Sequence, residues 1–252
     1  MAKNIGYLKQ CGVFRHTPLG QLDGLERRCR MRNVPRGKLV YSPGDAANAV
    51  YLLASGRIKI CALTAEGKQA ILMFVDPGEL FGELAILETG MREDMAEACE
   101  DACVIGIPVD ALQQSMEADA ETGLAMVRMI AARRRWLERR RRGLLFRSHR
   151  ERLILALLDL SQQYGSCTRD GLRLSARLSH QDLANMIGSS RETVTIALAN
   201  LRSAGHVRVQ RRNIVLTRPD ELARSVGAAA AFAHRCGDRR CGTKGIISNR
   251  VF

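Results

Sequence analysis

The sequence predicts an α+β chain in three successive parts: a small antiparallel β-roll, a long central helix and a winged helix-turn-helix. Three observations predict it. Between Arg36 and Pro108, short branched runs are punctuated by turn residues at near-constant spacing. From Val109 the chain meets few helix breakers for about ten turns. Two capping signatures then flank Gly188 and lead into a basic two-strand pattern.

The β region comes first. "KLVY", "AVYLLA", "RIKICAL", "AILMFV" and "ACVIGIP" are rich in branched residues and partly alternate. Gly44, Gly56, Gly67 and Gly78 fall 12, 11 and 11 residues apart, each in a turn-forming cluster. Regular short strands with regular turns predict a closed roll or barrel.

The central helix comes next, ending in "LLF". Met126, Ile130, Leu137 and Leu144 mark an approximate 3–4 stripe, interrupted by Arg133 and Arg140. A helix so long cannot bury itself in a small roll, so the stripe is expected to pair with a second copy. Seven arginines lie in Arg133–Arg142, with Glu138 the one acid among them. That run is either a solvated face, an anion site at the dimer axis, or a steering charge. A following helix buries Ile154, Leu157, Leu158 and Leu160 and stops at Gly165.

"LSHQDLANMIGSSRETVTIALANLRSAGHVRV" carries the most information. Ser179 with Asp182 fits one capping box, and Ser189 with Glu192 a second. Two short helices around a glycine form a helix-turn-helix. "HVRVQRRNIVLTRP" then reads as a two-stranded wing carrying Arg208, with Arg211 and Arg212 at its tip. Val194, Leu198 and Leu201 share the buried face of the second helix; Glu192, Thr195, Ile196 and Ala199 lie opposite, flanked by Arg191. Arginine grips guanine O6 and N7, a carboxylate accepts from cytosine N4, and an isoleucine meets a thymine methyl. The expected DNA contacts are Ser179, His180 and Gln181 at the first helix, Ser189, Ser190, Arg191, Glu192, Thr193, Thr195 and Ile196 at the second, and the three wing arginines.

Charge supports this division. Residues 1–116 hold 13 basic against 14 acidic side chains, whereas residues 117–252 hold 26 against 12. All the excess positive charge lies in the half that carries the nucleic-acid motif. The β region has no histidine between His16 and His149, which disfavours a β-barrel metal enzyme. Eight cysteines include no Cys-x-x-Cys pair, so common zinc and iron–sulfur spacings are missing. Cys99 and Cys103 are expected as buried structural thiols. His234, Cys236 and Cys241 are a weak metal set in a basic tail expected to be disordered, and no metal or cofactor is expected. The start lacks an apolar core of signal-peptide length, and no stretch approaches the roughly 20 apolar residues of a membrane span. A cytoplasmic location without membrane contact is expected.

On "VYLLASGRIKI", "EGKQAILMFVDPGELFGELAIL", the helix ending "LLF" and "LSHQDLANMIGSSRETV", the chain resembles the cyclic-AMP receptor protein/fumarate–nitrate regulator family of bacterial transcription factors. The likeness runs from about Gly12 to Val226. It implies a cyclic-nucleotide-binding-type roll (a double-stranded β-helix) over 12–116, a dimerisation helix over 117–146 and a winged helix-turn-helix over 147–226, with 227–252 as the tail. It also implies a homodimer on a near-palindromic duplex, with RNA polymerase as a further partner.

The same resemblance places Gly82, Glu83 and Leu84 on the family's phosphate-binding cassette, with Glu83 on the ribose. Counting from that cassette, Glu93 and Asp94 stand where cyclic-AMP-binding members carry Arg-Ser. Counting back from "LLF", Leu137 and Glu138 stand where those members contact adenine. Two carboxylates repel a phosphate, so cyclic AMP is not expected. The acidic pair could instead cap a turn or meet an arginine of the central helix. Ile196 replaces an arginine common in the family, so the half-site should depart from TGTGA at one base. The chain is therefore expected to be a homodimeric DNA-binding regulator that needs no effector or answers another signal. A redox, metal or small-anion signal stays open, as does a regulatory module acting on a partner protein.

Overall fold

The computed structural model describes residues 5–64, 67–87, 90–174, 178–210, 213–229 and 232. They form two compact units that divide between Glu138 and Arg139.

The first unit opens with α1 (Ile5–Gln10), a 3-10 turn (Gly12–Phe14) and α2 (Leu19–Arg28). Eight strands follow: β1 (Arg30–Val34), β2 (Leu39–Tyr41), β3 (Ala49–Ser55), β4 (Ile58–Leu63), β5 (Gln69–Val75), β6 (Leu80–Phe81), β7 (Met95–Ala98) and β8 (Ala102–Pro108). They make two antiparallel sheets, β1-β8-β3-β6 and β2-β7-β4-β5, which is the expected roll.

The central strands are buried on both faces, and this explains their near-continuous apolar runs. On β3, Leu53 faces the space between the sheets, with Ile58, Val75, Phe81 and Val104. Val50 and Leu52 face the other way, into a second core with Leu8, Phe14, Leu22, Leu112 and Met126. β8 divides in the same manner: Val104 faces one core, Ile105 and Ile107 the other. Each such side chain contributes about 1.5–3 kcal/mol by leaving water.

The helical run from Val109 is not continuous. α3 (Val109–Ala118) stops at Asp119, which is extended at φ −139°, and α4 (Ala120–Phe146) restarts after it. The Asp119 carboxylate accepts from the Glu121 N–H and the Thr122 hydroxyl, so the break is itself a cap. Sequence pattern missed it because aspartate is tolerated within helices. α4 is 27 residues long, about 40 Å at the helical rise.

The second unit begins with the last turns of α4 and continues into α5 (His149–Tyr164), opened by a Ser148–Glu151 capping box. Leu153, Ile154, Leu157, Leu158 and Leu160 are its buried face. Gly165 ends the helix as expected, since a Cβ there would lie 2.0 Å from the Ser161 carbonyl oxygen. A hairpin that sequence reasoning missed follows, β9 (Gly165–Thr168) with β10 (Gly171–Leu174). It extends the wing: with β11 (Val207–Gln210) and β12 (Asn213–Leu216) it forms one antiparallel sheet, β11-β12-β10-β9. α6 (His180–Ile187) and α7 (Arg191–Ser203) are the helix-turn-helix, and α8 (Pro219–Ser225) closes the unit.

The turn glycines are left-handed, with φ of 87° at Gly44 and 84° at Gly56. They differ in their surroundings. A Cβ on Gly44 meets open space, but one on Gly56 would lie 2.6 Å from the Asp101 carbonyl oxygen. Gly44→Ala should therefore lower stability by about 1 kcal/mol, the backbone cost alone. Gly56→Ala should cost more than about 2 kcal/mol, because strain and overlap add. Thermal melting of the two variants beside the parent checks the order.

Candidate nucleic-acid interface and roll pocket

α6 starts with the expected capping box. The Ser179 hydroxyl accepts from the Asp182 N–H, and the Asp182 carboxylate accepts from the Ser179 N–H. At its other end Gly188 is left-handed, φ 61°. The orphan carbonyls there are taken by two arginines: Arg140 donates to Met186 O, and Arg152 to Ile187 O at 3.0 Å. Burial pulls the Arg140 guanidinium down to about 10, with Asp159 opposing. This arginine of the basic run is thus spent on the fold of the second unit.

α7 begins one residue later than expected. Ser190, not Ser189, is its N-cap, accepting from the Thr193 N–H at 3.1 Å. Ser189 is half-buried in the turn. The two faces of α7 fall as the sequence indicates. Val194, Ala197, Leu198 and Leu201 are buried, while Arg191, Glu192, Thr195, Ile196 and Ala199 are exposed. Ile196 is 63% exposed, so packing within the unit does not account for it. Its own N–H, the Ser190 hydroxyl and the neighbouring Arg191 charge hold the Glu192 carboxyl below its usual range, leaving it an ionised acceptor.

His180 and Gln181 open α6. His180 Nδ1 lies 2.8 Å from Thr195 Oγ1, and Gln181 bonds Asn185 on its own helix. Arg208 of the wing pairs with Asp170 of the β9–β10 turn at 3.3 Å, an exposed pair, worth at most about 1 kcal/mol. Arg211 and Arg212 lie outside the described residues, as do His234, Cys236, Cys241 and almost all of the tail.

The roll pocket departs from the residue count. Gly82, left-handed at φ 69°, opens a 3-10 turn over Glu83–Ile86. Arg92 is 6% exposed and turned inward, donating to Gly82 O at 2.9 Å and to Ala49 O. Its guanidinium lies 4.4 Å from the centre of the Tyr41 ring. Tyr41, Tyr51 and Phe81 stack beneath it with centroids 5.4–6.3 Å apart. A Cβ on Gly82 would come within 2.8 Å of Arg92 Nη1, so this close approach requires glycine.

Glu93 is exposed, and Asp94 is half-buried beside Tyr41. The expectation that two carboxylates face this site, with no donor, is corrected. The inward group is the arginine one residue earlier, held there by the Gly82 and Ala49 carbonyls and by the Tyr41 ring. An arginine adjacent to the counted pair was the available signal.

Leu137 and Glu138 are not brought to the cassette. Leu137 is 41% exposed, and Glu138 pairs with Arg134 at 3.1 Å. The side chain of α4 that reaches the cassette is Arg133. It pairs with Glu83 at 2.6 Å and donates to Leu80 O, with both charged side chains about one-eighth exposed (12% and 13%). Leu84 points out, 60% exposed.

The stripe read as a dimer seam also divides. Met126 is buried in the roll's second core and Ile130 packs against it. The apolar residues of α4 left exposed are Leu124, Val127, Leu137, Leu144, Leu145 and Phe146. Cys99 sits in the turn before β8, which carries Cys103; both are half-buried, not buried. Burial pushes the Cys11 thiol up to about 11 and the Cys29 thiol to about 12, which disfavours the reactive thiolate. Among the described residues, no three His, Cys, Asp or Glu side chains are grouped to hold a metal, and no helix is long and apolar enough to cross a membrane.

Burial raises the Asp94 carboxyl above its usual range; the Tyr41 hydroxyl opposes this, the Glu83 charge adds to it, and Arg92 opposes it. A raised acid binds its proton more readily in the folded than in the unfolded chain. Stability therefore falls as pH climbs through the window above the ordinary carboxylate range. Asp94→Asn should raise the melting temperature at neutral pH, and the gain should shrink as pH falls to where both states are protonated. A pH series of melting curves reads this directly.

Two family models match this geometry, the cyclic nucleotide-binding domain over residues 31–119 and the Crp-like helix-turn-helix domain over residues 151–225. The chain is 30% identical over 213 residues to the global nitrogen regulator of Synechococcus elongatus, covering 83% of this chain and 93% of that protein. It is 27% identical over 217 residues to the CRP-like cAMP-activated global transcriptional regulator of Mycobacterium tuberculosis, covering 86% and 97%. Among solved structures, the c-di-GMP responsive global regulator CLP of Xanthomonas campestris superposes with a TM-score of 0.71 at 27% identity, over 79% of this chain and 99% of that one. These relatives are transcription regulators, not enzymes. With its roll, its helix-turn-helix and near-full-length relatives of that kind, the chain belongs to the CRP/FNR family of DNA-binding transcription regulators.

Proposed function

We propose that the protein is a homodimeric, sequence-specific DNA-binding regulator that is not gated by cyclic AMP. The observation that carries the second half of this reading is the state of the roll pocket: both of its inward arginines are already engaged, Arg133 with Glu83 and Arg92 with two backbone carbonyls. Glu83, the group for a ribose hydroxyl, is held by Arg133. Arg92 donates from Nη1 to Gly82 O and from Nη2 to Ala49 O, and its guanidinium lies over the Tyr41 ring, while its buried Nε has no hydrogen-bond partner among the described residues. A cyclic phosphate entering here meets the Asp94 carboxylate and must compete with Glu83 for Arg133.

A second reading has its own support. Arg92 and Arg133 both reach the short segment Leu80–Glu83. A small anion that is not cyclic AMP could compete with Glu83 for Arg133. The relatives named above divide in what their names say they answer to, so the family by itself does not choose a signal.

DNA reading rests on the outward face of α7. Arg191 and Glu192 stand at the start of the recognition helix, and Ile196 is set to meet a thymine methyl one turn on. Dimerisation is assigned to the exposed residues Leu124 and Val127 of α4, beside Leu137, because Met126 and Ile130 are used by the roll. A dimer implies two half-sites about one helical turn apart, and RNA polymerase is the further partner of a DNA-bound activator.

Selection of duplexes from a random pool, with and without cyclic AMP, tests both halves. The expected result is one near-palindromic consensus, unchanged by cyclic AMP, with melting temperature shifted by less than about one degree. Arg191→Ala should cost about 1–3 kcal/mol and relax one base position. Ile196→Arg should alter the preferred base at its own position. A consensus that emerges only with cyclic AMP would sink the ungated reading.

A further inference from the structure

We infer that Arg134 and Glu138 of α4 form a charge lock with a second copy of this chain, crossing between the two helices so that the chain selects itself as its partner. The inference deepens the dimer reading given above and rests on it.

The outward side of α4 has the spacing of a paired helix. Leu124, Val127, Ala131, Arg134 and Glu138 recur three and four residues apart in alternation. That is the a and d pattern of a two-stranded seam. Met126, Ile130 and Arg133 lie on the side of the helix turned to the roll. Leu124 and Val127 are exposed and Ala131 is half-buried. Two charges therefore occupy consecutive seam positions after an apolar start, and one of them is the only acid within Arg133–Arg142.

Within one chain these two are loosely held. Arg134 Nε meets Glu138 Oε1 at 3.1 Å, and among the described residues both Nη groups and Oε2 are uncommitted. The Arg134 side chain is 81% exposed and that of Glu138 41%. The order is also the poorer one for a lone helix, which favours the acid before the base. Support of the helix by itself is thus a weak reason for the pair.

A second copy supplies a stronger one. Two recognition helices on one duplex place the two copies of α4 parallel, so that both reading units stand at one end. In a parallel, in-register pair a seam side chain enters a hole on the facing helix, bordered by the seam residues before and after it. Arg134 then borders the partner's Glu138, and two-fold symmetry repeats the contact in reverse. The spare Nη groups and the spare carboxylate oxygen are the atoms that meet. Docking withdraws them from water, where an opposite-charge contact is stronger than in an exposed pair. A helix with like charges at these places is repelled, which is the selective element. The crossed pairs also bring two carboxylates to the part of the seam where the basic run would otherwise meet its own copy.

The experiment uses the full chain. Sedimentation over a concentration series reads the dimer constant of each variant, and melting curves confirm folding. Glu138→Arg and Arg134→Glu should each weaken the dimer by about tenfold or more, because each sets like charges across the seam. The double exchange, Arg134→Glu with Glu138→Arg, restores opposite charges and should recover it. Parent and double-exchange chains are then co-expressed with different tags, and native mass spectrometry counts the mixed dimers. Two differently tagged parents should give roughly half mixed dimers, the chance proportion. Parent with double exchange should give about a tenth of that, since the mixed seam sets Arg134 against an arginine and Glu138 against a glutamate.

The double exchange keeps an opposite-charge pair within each helix, so a merely intrahelical role predicts free mixing. Mixing at the chance proportion overturns the lock. So does a dimer constant unmoved by either single substitution, or one that the folded double exchange fails to recover. A parent that stays monomeric throughout the series would instead remove the dimer reading.

Discussion

A largely buried ion pair joins two elements of the first unit, the cassette and α4. Glu83 opens the 3-10 turn of the cassette, and Arg133 sits more than three turns into α4. Both side chains are largely withdrawn from water. Taking two charges out of water is costly, and the pair is tolerable only because each meets the other and Arg133 also has the Leu80 carbonyl. Removing one partner strands the other, which typically costs about 3–5 kcal/mol. The pair joins the cassette to the same side of α4 that carries Met126 and Ile130. With Arg133 turned inward, Ile130 and Met126, about one and two turns earlier, also face the roll. Leu124 and Val127 are left outward on the same helix.

Arginines play a parallel part in the second unit. Arg140 and Arg152 close the carbonyl end of α6, next to the left-handed Gly188 and the start of α7. The turn that aims the recognition helix is thus braced by charge on one side and by the glycine on the other. What looked like a block of seven like charges resolves into separate duties. Arg133 answers Glu83, Arg134 answers Glu138, and Arg140 caps α6. Arg133 and Arg140 find their partners far away in sequence, whereas Arg134 finds Glu138 within the run itself.

Legibility differed between the two units for a physical reason. The helix-turn-helix is built from local rules. Ser179 and Asp182 cap across three residues, Gly188 supplies the left-handed turn, and the period of α7 separates Val194, Leu198 and Leu201 from Thr195 and Ile196. Each of those signals acts within about one to three turns of chain, so the sequence states them. Even there the cap of α7 moved by one residue, from Ser189 to Ser190, because both serines satisfy the local rule. The β9–β10 hairpin had only a short apolar pattern, and its strands are stabilised by pairing with the wing, 40 residues on.

The sequence by itself determined the order of parts: glycine-punctuated strands, a breaker-poor helix, and capped short helices with a segregated positive charge. Period, capping and turn chemistry are local, and a single chain displays them. The pocket was decided only by the tertiary structure. Which of Arg92, Glu93 and Asp94 turns inward depends on the Gly82 and Ala49 carbonyls that accept from Arg92 and on its cation resting against the Tyr41 ring. Which arginine of the basic run meets Glu83 depends on how α4 lies along the roll. The sequence displays such charges but not their partners, because burial and ion pairing are settled between residues tens of positions apart.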